Sequence, residues 1–388
     1  MTAETEGLLP AKPGRLDSLT GLRFLAAFLV MAGHYGTVPC SLPWLDSIIR
    51  NNFQAVTLFF VLSGFVLTHT YYSQKGKSPW KNYAILRAAR ILPAYLLSLA
   101  VCIPLYWFTG TGPSLTPLFK SAGIALHLLF LQSWLPLFDW LSLNTPAWSL
   151  SVEFVMYVLF PLLLALRPRS LSSILIILLI SIITQTEIRR IIWHLPGTVT
   201  VLGDPHGPVW LWNPLIHLPS FCAGMAIGRL RRLLAEYGGA HAFRPLSEYG
   251  VSAGLLAGML LFTALLANTA RLREQAHLVS YGLFLAILLI IFFASWDKGF
   301  VCRILRSKGL LLGGEASYAL YLFHVPLWHY WEYALRDLLG FQTLATNSPL
   351  FQAGYFCFAI LVSVAVFLWF ERPMRARIRA GLRYSTAA

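Results

Sequence analysis

An all-α integral membrane protein is the fold class this sequence predicts, and three observations carry it. Of 388 residues, 57% are hydrophobic and only 12% are charged, whereas a soluble domain carries charge on about a quarter. Mean hydropathy is +0.64. Ten apolar runs reach the roughly 20 residues needed to cross a hydrocarbon core about 30 Å thick. They fall at 20–39, 54–74, 91–109, 147–166, 170–187, 212–230, 247–268, 277–295, 311–331 and 350–370.

Residues 1–19 are polar, with Glu4, Glu6, Lys12 and Arg15, and no small-residue cleavage pattern follows the first apolar run. They read as a cytoplasmic segment ahead of an uncleaved anchor helix. An eleventh apolar stretch, 121–134, begins beside Lys120 and is too short to span, so a re-entrant or interfacial helix is expected there. Residues 20–371 form one membrane-embedded domain, and 372–388 a basic cytoplasmic tail.

Charge sets the sidedness. With ten spans and the N-terminus inside, twenty-two of the thirty Lys and Arg residues lie on the cytoplasmic side and seven on the outer side. Counting 121–134 as a span would reverse every later cluster. The net charge of +14 is therefore a topology signal; membrane lipids, not nucleic acid, are the expected partners. The five cysteines are far apart and lack metal or disulfide spacing, which reads as inert thiols.

Ionisable residues inside apolar spans are costly, so each is a functional candidate. Arg23 and His34 share the first run, eleven positions apart, on one stripe and about 16 Å apart along the axis. Glu153 and His324 fall at the same depth as His34, about 20 Å from the inner boundary. Two histidines and a carboxylate at one level are expected to converge, the carboxylate or second histidine orienting His34 as a general base. The remaining histidines, His127 and His217 among them, lie near boundaries or loops and are expected to be solvated or interfacial. Ser317, Tyr321 and His324 form a polar stripe at i, i+4, i+7 that should line a cavity. At the inner mouth, Arg87 and Arg90 share a helix face suited to phosphate. No Walker loop or dinucleotide fingerprint is present.

The ordered set Arg15-Leu-Asp-Ser-Leu-Thr-Gly-Leu-Arg-Phe24…His34, Phe59-Phe-Val-Leu-Ser-Gly-Phe65, Arg87-Ala-Ala-Arg90, Pro146-Ala-Trp-Ser-Leu-Ser-Val-Glu153, Ser317-Tyr-Ala-Leu-Tyr-Leu-Phe-His324 and Glu371-Arg-Pro373 resembles the acyltransferase-3 family of membrane O-acyltransferases. The resemblance implies about ten spans and transfer of an acyl group, often acetyl, from cytosolic acyl-CoA to a hydroxyl on a glycan or small-molecule acceptor. It marks His34 as the catalytic histidine and Arg23 as its motif partner. Arg87 and Arg90 become acyl-CoA contacts, with Tyr83 beside them. Ser63, Gly64, Tyr321 and His324 are expected in the substrate cavity, backbone amides near Gly64 serving as an oxyanion site. No tightly bound cofactor and no metal are expected, and the location is a bacterial inner membrane with both termini cytoplasmic. Because the chain ends soon after its last span, the family variant with an added esterase-like domain is not expected. A transporter or flippase would also carry intramembrane His, Glu and Arg, but inverted-repeat symmetry is not evident.

Overall fold

The computed structural model describes residues 16–36, 42–51, 53–72, 80–108, 116–134, 142–166, 168, 170–194, 209–237, 247–269, 271–341 and 345–385. Residues 1–15, Cys40, His206, His241 and the basic residues Lys75, Lys77, Arg167, Arg169 and Arg244 lie outside this set. Among the described residues all regular structure is helical. In chain order the helices are α1 Asp17–Tyr35, α2 Pro43–Arg50, α3 Phe53–Tyr71, α4 Trp80–Phe108, α5 Pro117–Leu128, α6 Trp148–Ala165 and α7 Leu171–His194. They continue with α8 Pro214–Tyr237, α9 Glu248–Ala267, α10 Ala276–Ala294, α11 Phe300–Leu305, α12 Lys308–Tyr333, α13 Pro349–Val366 and α14 Arg372–Ser385.

Seven of these helices are long and apolar enough to cross a membrane: α3, α4, α6, α7, α9, α10 and α13 with its continuation. The protein is thus an integral membrane protein. Three further segments expected to span form α1, α8 and α12, which fall outside that group of seven. Each carries polar or charged groups, Arg23, Arg229 and Glu315 among them, so the expected count of ten is not carried by composition. Helix α1 also ends earlier than expected, at Tyr35, which puts His34 in its last turn. Helix α7 continues to His194, so Arg189 and Arg190 ride on a helix and not in a loop.

Helix α5 has 12 residues, about 18 Å of helix and too short to cross. The chain then turns at Phe130, φ 57°, and folds back on the start of α6. Gln132 donates to the Ala147 carbonyl at 2.7 Å and Ser133 Oγ to that of Trp148 at 2.8 Å. This doubling-back buries His127, whose Nδ1 donates to Gly123 at 2.8 Å. His217 is likewise buried, bonded to Leu211 at 2.8 Å. The expectation that both are solvated is corrected: each finds a backbone carbonyl within its own turn or the preceding loop.

Between lipid-soluble helices there is little hydrophobic drive, so close backbone approach decides which helices pair. Gly64 of α3 packs on the Phe221 carbonyl of α8, and Gly224 of α8 packs on the Val61 carbonyl of α3. A methyl group at either position would collide with backbone. Gly314 of α12 meets the Thr20 carbonyl of α1 in the same way. Prolines inside helices free carbonyls four residues earlier, and side chains take two of them. Tyr83 donates to the Tyr157 carbonyl released by Pro161, at 3.0 Å. Asn144 donates to the Leu322 carbonyl released by Pro326, at 3.1 Å.

Gly64→Leu is expected to split α3 from α8, costing upwards of the 1–3 kcal/mol usual for overpacking. Thermal unfolding of the detergent-solubilised protein measures it, and a Tm equal to wild type would show that the helices part without cost.

Candidate active site

A cavity of about 290 Å³ opens where α1, α3, α4, α6 and α12 meet. Thr20 and Arg23 project into it from the first turns of α1, Ser63 from α3, and Arg87 and Arg90 from α4. Glu153 and Tyr157 come from α6, and Ser317, Tyr318 and Tyr321 from α12. Glu153 accepts from Ser63 Oγ at 3.3 Å and from the Tyr157 hydroxyl one turn along its own helix. Arg23 lies within electrostatic reach of Arg90, Glu153 and Arg375. The lining holds three guanidiniums, Arg23, Arg87 and Arg90, against the one carboxylate of Glu153 and is therefore cationic, which suits an anion.

Arg87 sits in an aromatic cage, its Cζ 5.8 Å from the Tyr71 and Tyr157 ring centres and 5.9 Å from that of Tyr83. Ring faces attract a cation without using its N–H donors. The Nε of Arg87 is buried and has no hydrogen-bond partner. Tyr83 was expected to touch the ligand. It stands instead behind Arg87, outside the cavity lining, with its hydroxyl committed to the carbonyl that Pro161 releases. Gly64 is also absent from the lining. It faces α8, and as a mid-helix residue its amide is taken by the helix, so it offers no oxyanion donor.

The sequence reading missed Glu371. It is fully buried in the wide turn that joins α13 to α14, and it pairs with Arg375. Arg375 in turn donates to the Arg90 carbonyl at 3.3 Å, and both Arg90 and Arg23 lie within electrostatic reach of Glu371. Sequence could have flagged it, as a carboxylate at the end of an apolar span is costly unless paired. In the sequence it stands out only as part of the closing motif Glu371-Arg-Pro373.

The two histidines meet beyond the cavity. Their ring centres are 5.0 Å apart in an edge-on arrangement. His34 Nδ1 lies 2.8 Å from the Val30 carbonyl, and His324 Nδ1 lies 2.7 Å from that of Tyr321. A carbonyl only accepts, so each Nδ1 carries the proton and each Nε2 is the basic nitrogen. His324 is fully buried and its Nε2 has no hydrogen-bond partner, whereas His34 is exposed. Tyr35 stacks on Trp328 at 4.3 Å beside them, and Tyr355 donates to the His324 carbonyl at 2.5 Å.

Of the expected trio, then, His34 and His324 come together, while Glu153 stands on the cavity with Arg23. Val30 holds the Nδ1 of His34, and Glu153 is engaged by Ser63 and Tyr157. Tyr321 joins the two groups: it lines the cavity, and its ring is 6.0 Å from that of His324. The polar stripe Ser317–Tyr321–His324 therefore runs from the cationic cavity to the histidine pair. Among the described residues no cluster of three or more His, Cys, Asp or Glu is arranged to hold a metal.

A family model described as an acyltransferase domain matches residues 16–368, which takes in α1 and every side chain of the cavity. The chain belongs to the acyltransferase-3 family. Acyltransferase MdmB of Streptomyces mycarofaciens is 27% identical over 365 residues, covering 86% of this chain and 84% of that protein. Peptidoglycan O-acetyltransferase OatA of Listeria monocytogenes is 27% identical over 333 residues, covering 80% of this chain and 49% of its own. O-acetyltransferase OatA of Staphylococcus aureus is 25% identical over 349 residues, covering 81% and 51%. The chain spans about half the length of these two OatA proteins. No solved structure matches it.

In this acyltransferase the ion network should behave as a unit. Glu371→Leu strips the buried carboxylate from Arg375, Arg90 and Arg23 and is expected to cost about 3–5 kcal/mol of stability. The double variant Glu371→Leu with Arg375→Met should recover much of that loss, as measured by thermal unfolding. Additive losses would mean that the two residues do not act as a pair.

Proposed function

We propose that the chain moves an acetyl group from acyl-CoA to a hydroxyl of a glycan acceptor, with His34 as general base. The observation that carries this reading is the polar stripe from a three-arginine cavity to a histidine whose Nδ1 is held by a carbonyl. Donor phosphates would engage Arg87 and Arg90, and the buried, unpartnered Nε of Arg87 is a donor that such an anion would satisfy. The cavity, at about 290 Å³, suits the narrow pantetheine arm running past Arg23 rather than a whole donor.

In the chemical step Nε2 of His34 takes the acceptor hydroxyl proton as that oxygen bonds to the thioester carbonyl carbon. The carbon–sulfur bond then breaks, and the imidazolium returns the proton to the leaving thiolate. His324 packs edge-on against His34 and would limit its ring rotation; Glu153 would hold the cavity hydroxyls and balance Arg23. The peptidoglycan O-acetyltransferase among the relatives supports a hydroxyl-bearing glycan as acceptor. The topology that fits is a bacterial cell membrane with both termini cytoplasmic, on the side of the CoA pool. Transport of a glycan by a flippase remains the rival activity, and family membership weighs against it.

His34→Ala is expected to abolish acetyl transfer by the purified protein while leaving folding and membrane insertion intact. Turnover near the wild-type rate would remove His34 from the mechanism. Arg87→Gln with Arg90→Gln should weaken acyl-CoA binding by about 3–6 kcal/mol, the worth of two charge-assisted contacts. Equilibrium binding of a non-hydrolysable acyl-CoA measures this; an unchanged affinity would assign both arginines to topology alone.

A further inference from the structure

A second cavity, of about 660 Å³, lies at the N-terminal end of α3. Its size falls in the range of small-molecule sites, about 300–1,000 Å³. Gln54 and Thr57 of α3, Gln185 and Arg189 of α7, and His277 and Ser280 of α10 line it. The donor cavity takes its α3 residues from Val56 to Thr70, so Thr57 and Ser63 serve different chambers about 9 Å apart along one helix.

Two buried polar groups in the second cavity are unsatisfied. Gln185 is 3% exposed, and neither its amide nitrogen nor its amide oxygen has a hydrogen-bond partner. Thr57 is 2% exposed, and its hydroxyl is equally unpartnered. Leaving such groups unpaired in the interior is unfavourable, and Leu or Val would fill the same volume without that cost. On two separate helices they line one chamber, so a ligand bound there would complete their hydrogen bonds. An amide and a hydroxyl each donate and accept, which matches the hydroxyls of a sugar ring.

Charge narrows the class: Arg189, Arg190 and one carboxylate, Glu274, also line the chamber. Arg190 is paired with Glu187 at 2.7 Å. Arg189, on the same turn, instead lies over the Phe53 ring at 4.1 Å and has no ion pair among the described residues. A ring face leaves guanidinium N–H donors available for an anion. Phe53 stacks on Trp148 at 5.8 Å, which in turn packs on Phe60 at 6.0 Å, a lining residue of the donor cavity. The chamber is thus tied to the donor cavity by a continuous aromatic wall.

We propose that this second cavity binds an anionic saccharide unit of the acceptor, with Gln185 and Thr57 on its hydroxyls and Arg189 on its carboxylate. The inference rests on the glycan-acceptor reading above. Its test uses the purified full chain in lipid nanodiscs and needs no turnover. The probes are the N-acetylglucosamine–N-acetylmuramic acid disaccharide, which carries a carboxylate, and neutral N,N′-diacetylchitobiose.

Calorimetric titration is expected to give saturable binding of the acidic disaccharide. Gln185→Leu and Thr57→Val should each weaken it about tenfold. Arg189→Gln should weaken the acidic sugar and leave the neutral one unchanged. Unfolding temperatures of the Leu and Val variants should equal or exceed wild type, since each removes an unpaired polar group. Absence of saturable binding for both sugars, or binding untouched by Gln185→Leu and Thr57→Val, overturns the proposal. Saccharide binding without acetyl transfer from acetyl-CoA would sink the transfer reading and leave the site standing. Transfer with no dependence on Gln185, Thr57 or Arg189 would sink the site alone.

Discussion

Four half-buried arginines gathered in an otherwise apolar bundle dictate much of how it is put together. Arg23, Arg87, Arg90 and Arg375 stand on three helices, α1, α4 and α14, and a charge removed from water is tolerated only when paired or hydrogen-bonded. The compensation is distributed. Glu371 serves Arg375 directly and reaches Arg90 and Arg23 through space, Glu153 faces Arg23, and three tyrosine rings enclose Arg87. The positive excess that remains faces the cavity, where an anion can complete it.

Backbone chemistry then sets where the side chains of the site can stand. Pro161 and Pro326 each remove a helix donor, and the freed carbonyls are taken by Tyr83 and Asn144. The first bond ties α4 to α6 behind Arg87; the second ties the segment before α6 to α12 next to His324. Glycine contacts fix the neighbours: Gly314 seats α12 on α1 at Thr20, and at the other end of the same pair His34 meets His324. The two helices therefore run side by side in the same direction. Arg23 and Tyr321 face one chamber as a consequence, and the histidines face each other beyond it.

Much of this was legible in the sequence because hydrocarbon makes polar residues conspicuous. Arg23, His34, Glu153 and His324 stood out by cost alone, and the i, i+4, i+7 stripe of Ser317, Tyr321 and His324 follows from helical periodicity. The non-spanning character of 121–134 followed from its length. Each of these rests on local composition or on the pitch of a helix, which need no knowledge of neighbours.

Which helices touch, and on which face, emerges from packing alone. Gly64 turned to α8 and Tyr83 to a carbonyl on α6, because helix rotation is set by packing partners and not by the residue itself. Glu153 and the histidine pair, matched in depth by counting along separate helices, came to lie on two sides of Tyr321 for the same reason. His127 was buried by a segment that doubles back on the bundle, and His217 by the Phe60 and Trp148 rings of two neighbouring helices. Nothing in the spacing of Gln185 and Thr57 marks them out, and their want of partners is visible only with the surrounding helices in place. Composition and helical pitch are enough for the membrane class and for the polar residues whose cost demands a purpose; contacts between helices settle which of them share a site, because hydrogen bonds and ion pairs form across distances that no spacing along the chain encodes.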